Sequence, residues 1–211
     1  VTDVKVCGII TVEALAAAVN GGATHVGFVF FAPSPRNLSF DGAAALAAAA
    51  PDHVRRVGVF VDPDEELLER AIQAGRLHAV QLHRTAPQRT GHLRQRTGLE
   101  TWTAVAVKGR ADLTGARDYI GAADRILFDA KTPASAALPG GMGVRFDWSL
   151  LDGFQHLLPW ALSGGLDPAN VKEAIRRTGA PLVDASSGLE NAPGVKSVDK
   201  ITAFLQAVAA S

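Results

Sequence analysis

Eight short apolar runs recur along the chain, separated by stretches of helix-like composition, and this alternation constrains the fold more than any single residue. The runs occupy residues 4–7, 26–30, 57–61, 79–83, 101–107, 126–129, 160–163 and 181–184. Each is the length of a strand, and most are nearly continuous in apolar character. Strands buried on both faces read this way, as in parallel sheets covered by helices. Between them, Thr11 opens a stretch with Val12, Leu15, Ala16 and Val19 at helical spacing. Asp62-Pro63 and Asp167-Pro168 each place a capping carboxylate before a residue suited to the first helical position, so helices are expected to open there. Ser197 begins a last stretch with Val198, Ile201, Phe204, Leu205 and Val208 on one stripe.

Eight such units in 211 residues leave roughly 26 residues each, near the lower end for a (β/α)8 barrel. A doubly wound open sheet is the structural rival. The count of eight, and a final helix able to pack beside the first strand, favour the barrel. No proline- or serine-rich linker divides the chain. The expectation is an α/β fold: a single-domain (β/α)8 TIM barrel over residues 1–211.

Composition narrows the function. Twenty-one basic residues balance twenty-one acidic ones, without a basic block, so a nucleic-acid partner is not expected. A 47% hydrophobic content at zero net charge argues against disorder. The single cysteine excludes an intrachain disulfide and a zinc site built on several cysteines. Apolar stretches such as residues 43–50 fall far short of the roughly 20 residues of a membrane span. The first five residues carry charge and show no secretory signal, which fits a cytoplasmic protein.

A barrel places its site at the C-terminal ends of its strands. That filter selects Cys7 after strand one, Arg36 in the loop after strand two and His83 ending strand four. It also selects Asp129 ending strand six and Asp184 ending strand eight. Taken singly, each has an ordinary structural explanation. A lone cysteine is usually packing, Asp129 can cap a helix, His83 and Asp184 can be satisfied rim groups, and Arg36 can be a loop charge. Their common position at one end tips the balance toward a site, since polar groups on apolar strands are costly without a ligand.

Glycines mark the loops as well. Ser163-Gly164-Gly165 follows strand seven and Ser186-Ser187-Gly188 follows strand eight, where barrels often bind phosphate through backbone N–H groups. Gly140-Gly141-Met142-Gly143, after strand six, adds a third such segment. Glycines also permit tight turns, but two such loops in the expected places favour phosphate.

In this order, the motifs resemble phosphoribosylanthranilate isomerases over nearly the whole chain. They are Val4-Lys5-Val6-Cys7-Gly8-Ile9, Gly27-Phe28-Val29-Phe30 with Ser34-Pro35-Arg36, Gln81-Leu82-His83, Leu127-Phe128-Asp129 and Phe146-Asp147-Trp148. Leu162-Ser163-Gly164-Gly165-Leu166 follows, with Pro168 and Asn170-Val171, and then residues 183–190 with Pro193-Gly194. The strand-one and strand-eight motifs together are specific. The resemblance implies a step of tryptophan biosynthesis, the Amadori rearrangement of N-(5-phosphoribosyl)anthranilate to 1-(2-carboxyphenylamino)-1-deoxyribulose 5-phosphate, without metal or organic cofactor. It implies Cys7 as general base, Asp129 as general acid, Arg36 on the anthranilate carboxylate and the glycine loops on the phosphate. The chain departs from the family at Met142, where threonine is usual, at Arg84, where glycine is common, and at Ser163, where alanine is common.

The chemistry suits the residues. Ring opening needs a proton on the ring oxygen, so Asp129 must be protonated, which an apolar rim or a neighbouring anion favours. The iminium so formed acidifies the C2 proton, which a thiolate can remove. A free thiol titrates at about 8.5, so Cys7 needs help. Strand alternation points Lys5 the same way as Cys7, making it the candidate electrostatic helper or a packed rim charge. Phe31 and the loop of residues 33–35 are candidates for an apolar wall against the aromatic ring. His83 and Asp184 are candidates for the ribose hydroxyls, with phosphate held by Gly143, Ser163, Gly164, Gly165, Ser186, Ser187 and Gly188. Two other readings are the histidine-pathway isomerase of an aminoimidazole ribonucleotide, alone or alongside this activity, and a non-catalytic barrel that binds phosphorylated metabolites. Monomer and homodimer are both compatible with the sequence.

Overall fold

The structure, a computed structural model, describes residues 1–131 and 143–211. Eight parallel strands close into a barrel in chain order. They are β1 (Asp3–Cys7), β2 (His25–Val29), β3 (Arg55–Val61), β4 (Ala79–His83), β5 (Glu100–Val107), β6 (Arg125–Ala130), β7 (Trp160–Leu162) and β8 (Leu182–Ala185). Closure comes from β1 against β8, with Lys5 opposite Asp184 in register. The open-sheet alternative is thereby removed. A small antiparallel hairpin, β9 (Glu190–Ala192) and β10 (Val195–Lys196), follows β8.

Among the described residues seven α-helices surround the barrel: α1 (Val12–Asn20), α2 (Phe40–Ala49), α3 (Glu65–Gly75), α4 (Pro87–Thr97), α5 (Arg110–Gly115), α6 (Val171–Thr178) and α7 (Val198–Ala209). Among the described residues, none is long and apolar enough to cross a membrane. Thr11 and Ser197 cap α1 and α7, accepting from the N–H groups of Ala14 and Lys200. The two Asp-Pro starts differ from expectation. Asp64 caps α3, accepting from the Leu67 N–H at 2.7 Å, while Asp62 turns the chain at φ 41°. Asp167 accepts from Ala169 and Asn170, closing a turn ahead of α6. At Asp167 an Asx-type turn finishes the loop before the helix starts, and at Asp62 the cap falls two residues later, so Asp-Pro marks the loop's exit.

Strand alternation sorts side chains into an outer and an inner core. Val80 and Leu82 of β4 face the helices, with Val4, Val26, Phe28, Phe60 and Phe128 in the same shell. Inside, Val57, Ala79, Trp102, Leu127, Ala161 and Leu182 fill the base of the barrel. Above them Cys7, Val29 and Val59 form a smaller apolar cluster, with Phe31 packed against it. Toward the mouth, inward positions on β1, β4, β6 and β8 are polar, among them Lys5, Gln81, His83, Asp129 and Asp184.

Candidate active site

Alternation along β1 sends Lys5 and Cys7 inward, and β4, β6 and β8 bring Gln81, His83, Asp129 and Asp184 to the same interior. Cys7, Asp129, Arg36, His83 and Asp184 all line one cavity of about 720 Å³, measured with the solvent at its open mouth. Ser163, Gly164, Gly165, Ser186 and Ser187 line it too. On the apolar side stand Phe31, a candidate wall for the aromatic ring, and Val29, Val59 and Val61, which were not among the candidates. Of the loop at 33–35, Ser34 reaches the cavity.

Three selected residues do not line it. Lys5 is fully buried, with its Nζ 3.0 Å from Asp184 Oδ1. Gly143 stands at the edge of the described residues, near the Ser187 side chain. Gly188 lies against the next loop, where a Cβ would overlap the Leu166 carbonyl oxygen. Its glycine lets the loops after β7 and β8 pack together. Gly140, Gly141 and Met142 lie outside the described residues. The departure at Arg84 falls at φ 53°, where an L side chain is strained and glycine is not.

Electrostatics distinguish the Asp129 carboxyl from the Cys7 thiol. Asp129 is buried and its pKa is pushed up to about 7, by burial first and then by the charge of Asp184. The Ala130 N–H, donating to Oδ1 at 2.8 Å, and Lys5 pull the other way. Gly164, at φ 89°, lets the loop after β7 approach this carboxyl, since a Cβ there would sit 3.0 Å from Oδ1. Burial raises the Cys7 thiol above its ordinary range. The charges of Lys5 and Lys196 pull it down, while Asp184 opposes them. Lys5 therefore does favour the thiolate, though less than burial disfavours it. Its own ammonium is drawn down by burial, the largest cause, but Asp184 and Cys7 together outweigh this and raise its pKa. Ser163, in place of the common alanine, donates from Oγ to Asp184 Oδ2 at 3.3 Å.

Three further residues escaped the strand-end filter. Gln81 donates to His83 Nε2 at 2.9 Å, and its Oε1 is buried without a hydrogen-bond partner among the described residues. Burial lowers the His83 pKa to about 4, so the ring is neutral at physiological pH and can accept this bond. Strand parity with His83 was the available signal for Gln81. The others are Glu190 and Lys196. Arg36 donates from Nε and Nη2 to the two carboxylate oxygens of Glu190, each at 2.7 Å, and Lys196 Nζ lies 2.6 Å from Glu190 Oε1. They sit in a hairpin where no periodicity marks a buried face, so only the tertiary fold reveals them.

Comparison with known proteins agrees with this geometry. The model of the N-(5'phosphoribosyl)anthranilate (PRA) isomerase family matches residues 4–207. The N-(5'-phosphoribosyl)anthranilate isomerases of Paramagnetospirillum magneticum and Zymomonas mobilis subsp. mobilis are each 50% identical over 206 residues, covering 97% of this chain and 96% of theirs. The crystal structure of phosphoribosyl anthranilate isomerase from Thermotoga maritima superposes with a TM-score of 0.86 at 35% identity, covering 100% of both chains. A phosphoribosyl anthranilate isomerase in complex with reduced 1-(o-carboxyphenylamino)-1-deoxyribulose 5-phosphate superposes with a TM-score of 0.83 at 33% identity, again over 100% of both. With the barrel closed, the polar mouth assembled and nearly the full length matched, the chain belongs to the N-(5'-phosphoribosyl)anthranilate isomerase family.

Proposed function

We propose that the whole chain, residues 1–211, works as one catalytic domain in the cytoplasm, with Cys7 as base and Asp129 as acid. The reaction converts N-(5'-phosphoribosyl)anthranilate to 1-(2-carboxyphenylamino)-1-deoxyribulose 5-phosphate in tryptophan biosynthesis, the activity that goes with the family. Asp129 gives its proton to the ring oxygen as the C1–O bond breaks. The nitrogen lone pair then forms the C1 iminium. Cys7, as thiolate, removes the proton on C2, and the electron pair of that C–H bond neutralises the iminium. The enolamine so formed tautomerises to the aminoketose.

The carrying observation is that a carboxyl held near pKa 7 and a thiol flanked by cations line the same cavity from β6 and β1. An acid of that pKa is still substantially protonated at neutral pH, which an exposed aspartate is not. The thiolate is stabilised further when the adjacent iminium becomes positive, at the moment a base is required. Arg36 takes the anthranilate carboxylate, and Phe31 with Val59 walls the aromatic ring. Gln81 Oε1 and Asp184 accept from ribose hydroxyls, and His83 orients Gln81. The loops at 163–165 and 186–188, with Gly143, take the phosphate, whose binding energy holds C1 and C2 between acid and base.

Mixing purified protein with N-(5'-phosphoribosyl)anthranilate is expected to abolish the substrate's fluorescence, and Cys7→Ala to remove that activity. A wild-type protein that leaves the fluorescence unchanged overturns the assignment.

A further inference from the structure

Glu190 is a buried carboxylate with four donors around it: Arg36 Nε and Nη2, Lys196 Nζ, and the Gly194 N–H at 3.2 Å. Its side chain is only 3% exposed and that of Lys196 2%. Lys196 Nζ also donates to the Ser186 carbonyl oxygen at 3.1 Å and lies 3.4 Å from Ser186 Oγ. Ser186 and Arg36 both line the cavity. One hairpin therefore reaches both the loop that carries Arg36 and the loop that carries Ser186.

The local packing leaves Arg36 little freedom. It crosses Gly8, next to Cys7, so closely that a Cβ at Gly8 would lie 2.6 Å from Arg36 Cδ. The bidentate contact with Glu190 then sets the plane of its guanidinium. A long arginine side chain loses rotamer entropy when it is held still. In this protein that ordering is complete before substrate arrives, which favours tight binding.

We propose that Glu190 and Lys196 are positioning residues for the isomerisation, Glu190 by holding the Arg36 clamp and Lys196 by tying that clamp to the Ser186 phosphate loop. This rests on the reading of Arg36 and Ser186 given above. The charge of Lys196 adds a second effect, because it favours the Cys7 thiolate together with Lys5 and against Asp184. Arg36 also interacts electrostatically with Cys7.

The test is steady-state kinetics on the purified full chain, with thermal unfolding to establish that each variant folds. Glu190→Gln keeps the shape and removes the charge. It is expected to raise KM about tenfold or more with kcat within about threefold, the mark of lost binding shared by ground and transition states. In the Arg36→Met background it is expected to add less than about twofold, because both changes remove one clamp. Lys196→Met is expected to weaken competitive inhibition by inorganic phosphate, which Arg36→Met leaves unchanged. It is also expected to move the alkaline limb of the kcat/KM profile upward, and Lys196→Arg to restore both. A wild-type KM in folded Glu190→Gln, full additivity with Arg36→Met, or unchanged phosphate inhibition in Lys196→Met overturns the proposal. If Glu190→Gln does not fold, the Lys196 pair decides alone. Arg36→Met with a wild-type KM would instead overturn the assignment of Arg36 itself, a separate failure.

Discussion

The two ends of the barrel interior are built from the same strands and do opposite work. At the base, β4, β6 and β8 contribute Ala79, Leu127 and Leu182, all buried in an apolar layer. Two or four residues further along, the same strands present His83, Asp129 and Asp184 to the cavity. The base lowers free energy by removing apolar area from water. The mouth keeps a lysine, two aspartates and a thiol out of water, which stability alone would not select. A parallel barrel permits this division because each strand runs from one end to the other with a fixed inward parity.

Substitutions at the two ends are expected to separate rate from stability. The largest effect belongs to the mouth: Cys7→Ala and Asp129→Asn are each expected to lower kcat by roughly 10²–10⁴-fold while the protein stays folded. At the base, Leu182→Ala is expected to cost about 2–5 kcal/mol in denaturant unfolding, with kcat near that of the parent in the folded fraction. A large kcat loss in Leu182→Ala would erase the division.

The Asp129 carboxyl sharpens the comparison through pH. Its folded pKa of about 7 lies above the ordinary value of about 3.9, so the folded state binds the proton more tightly than the unfolded chain does. Its contribution to stability is full below about pH 4 and is lost as pH rises to about 7. Asp129→Asn is therefore expected to stabilise the protein at pH 8 by at most about 4 kcal/mol, and to change little at pH 3. Equal melting shifts at both pH values would contradict this.

The same values shape the kinetics. In the proposed mechanism the active form has Asp129 protonated and Cys7 ionised, yet the carboxyl has the lower pKa of the two. The kcat/KM profile is expected to rise until about pH 7, stay level, and fall only above the raised pKa of Cys7. A profile that already falls from pH 7 contradicts that ordering. The smallest effect expected is from Gln81→Met, which removes the unpartnered acceptor and raises KM several-fold, about 1 kcal/mol.

Much of this site was legible along the chain. Cys7, His83, Asp129 and Asp184 end apolar runs, and Thr11 and Ser197 announce their helices. Gln81 was within reach of the same parity argument. The Asp-Pro pairs misled because an aspartate can close a turn, as Asp167 does, as readily as it caps a helix, and only the neighbouring backbone selects between them. Lys5 shows the limit from another side: parity put it inside, but its partner was not visible.

What the sequence determined by itself is periodicity, because alternation and capping are set by residues within a few positions of one another. Eight strands, their inward faces and the residues at their ends follow from that. Closure was left to the tertiary structure, which joins Lys5 to Asp184 across 179 residues and Arg36 to Glu190 across 154. It also decided the charges: Asp129 titrates near 7 because the fold buries it near Asp184, and no local pattern specifies that environment. Burial and long-range register are properties of the assembled barrel, so the protonation states on which the chemistry turns arise only when it closes.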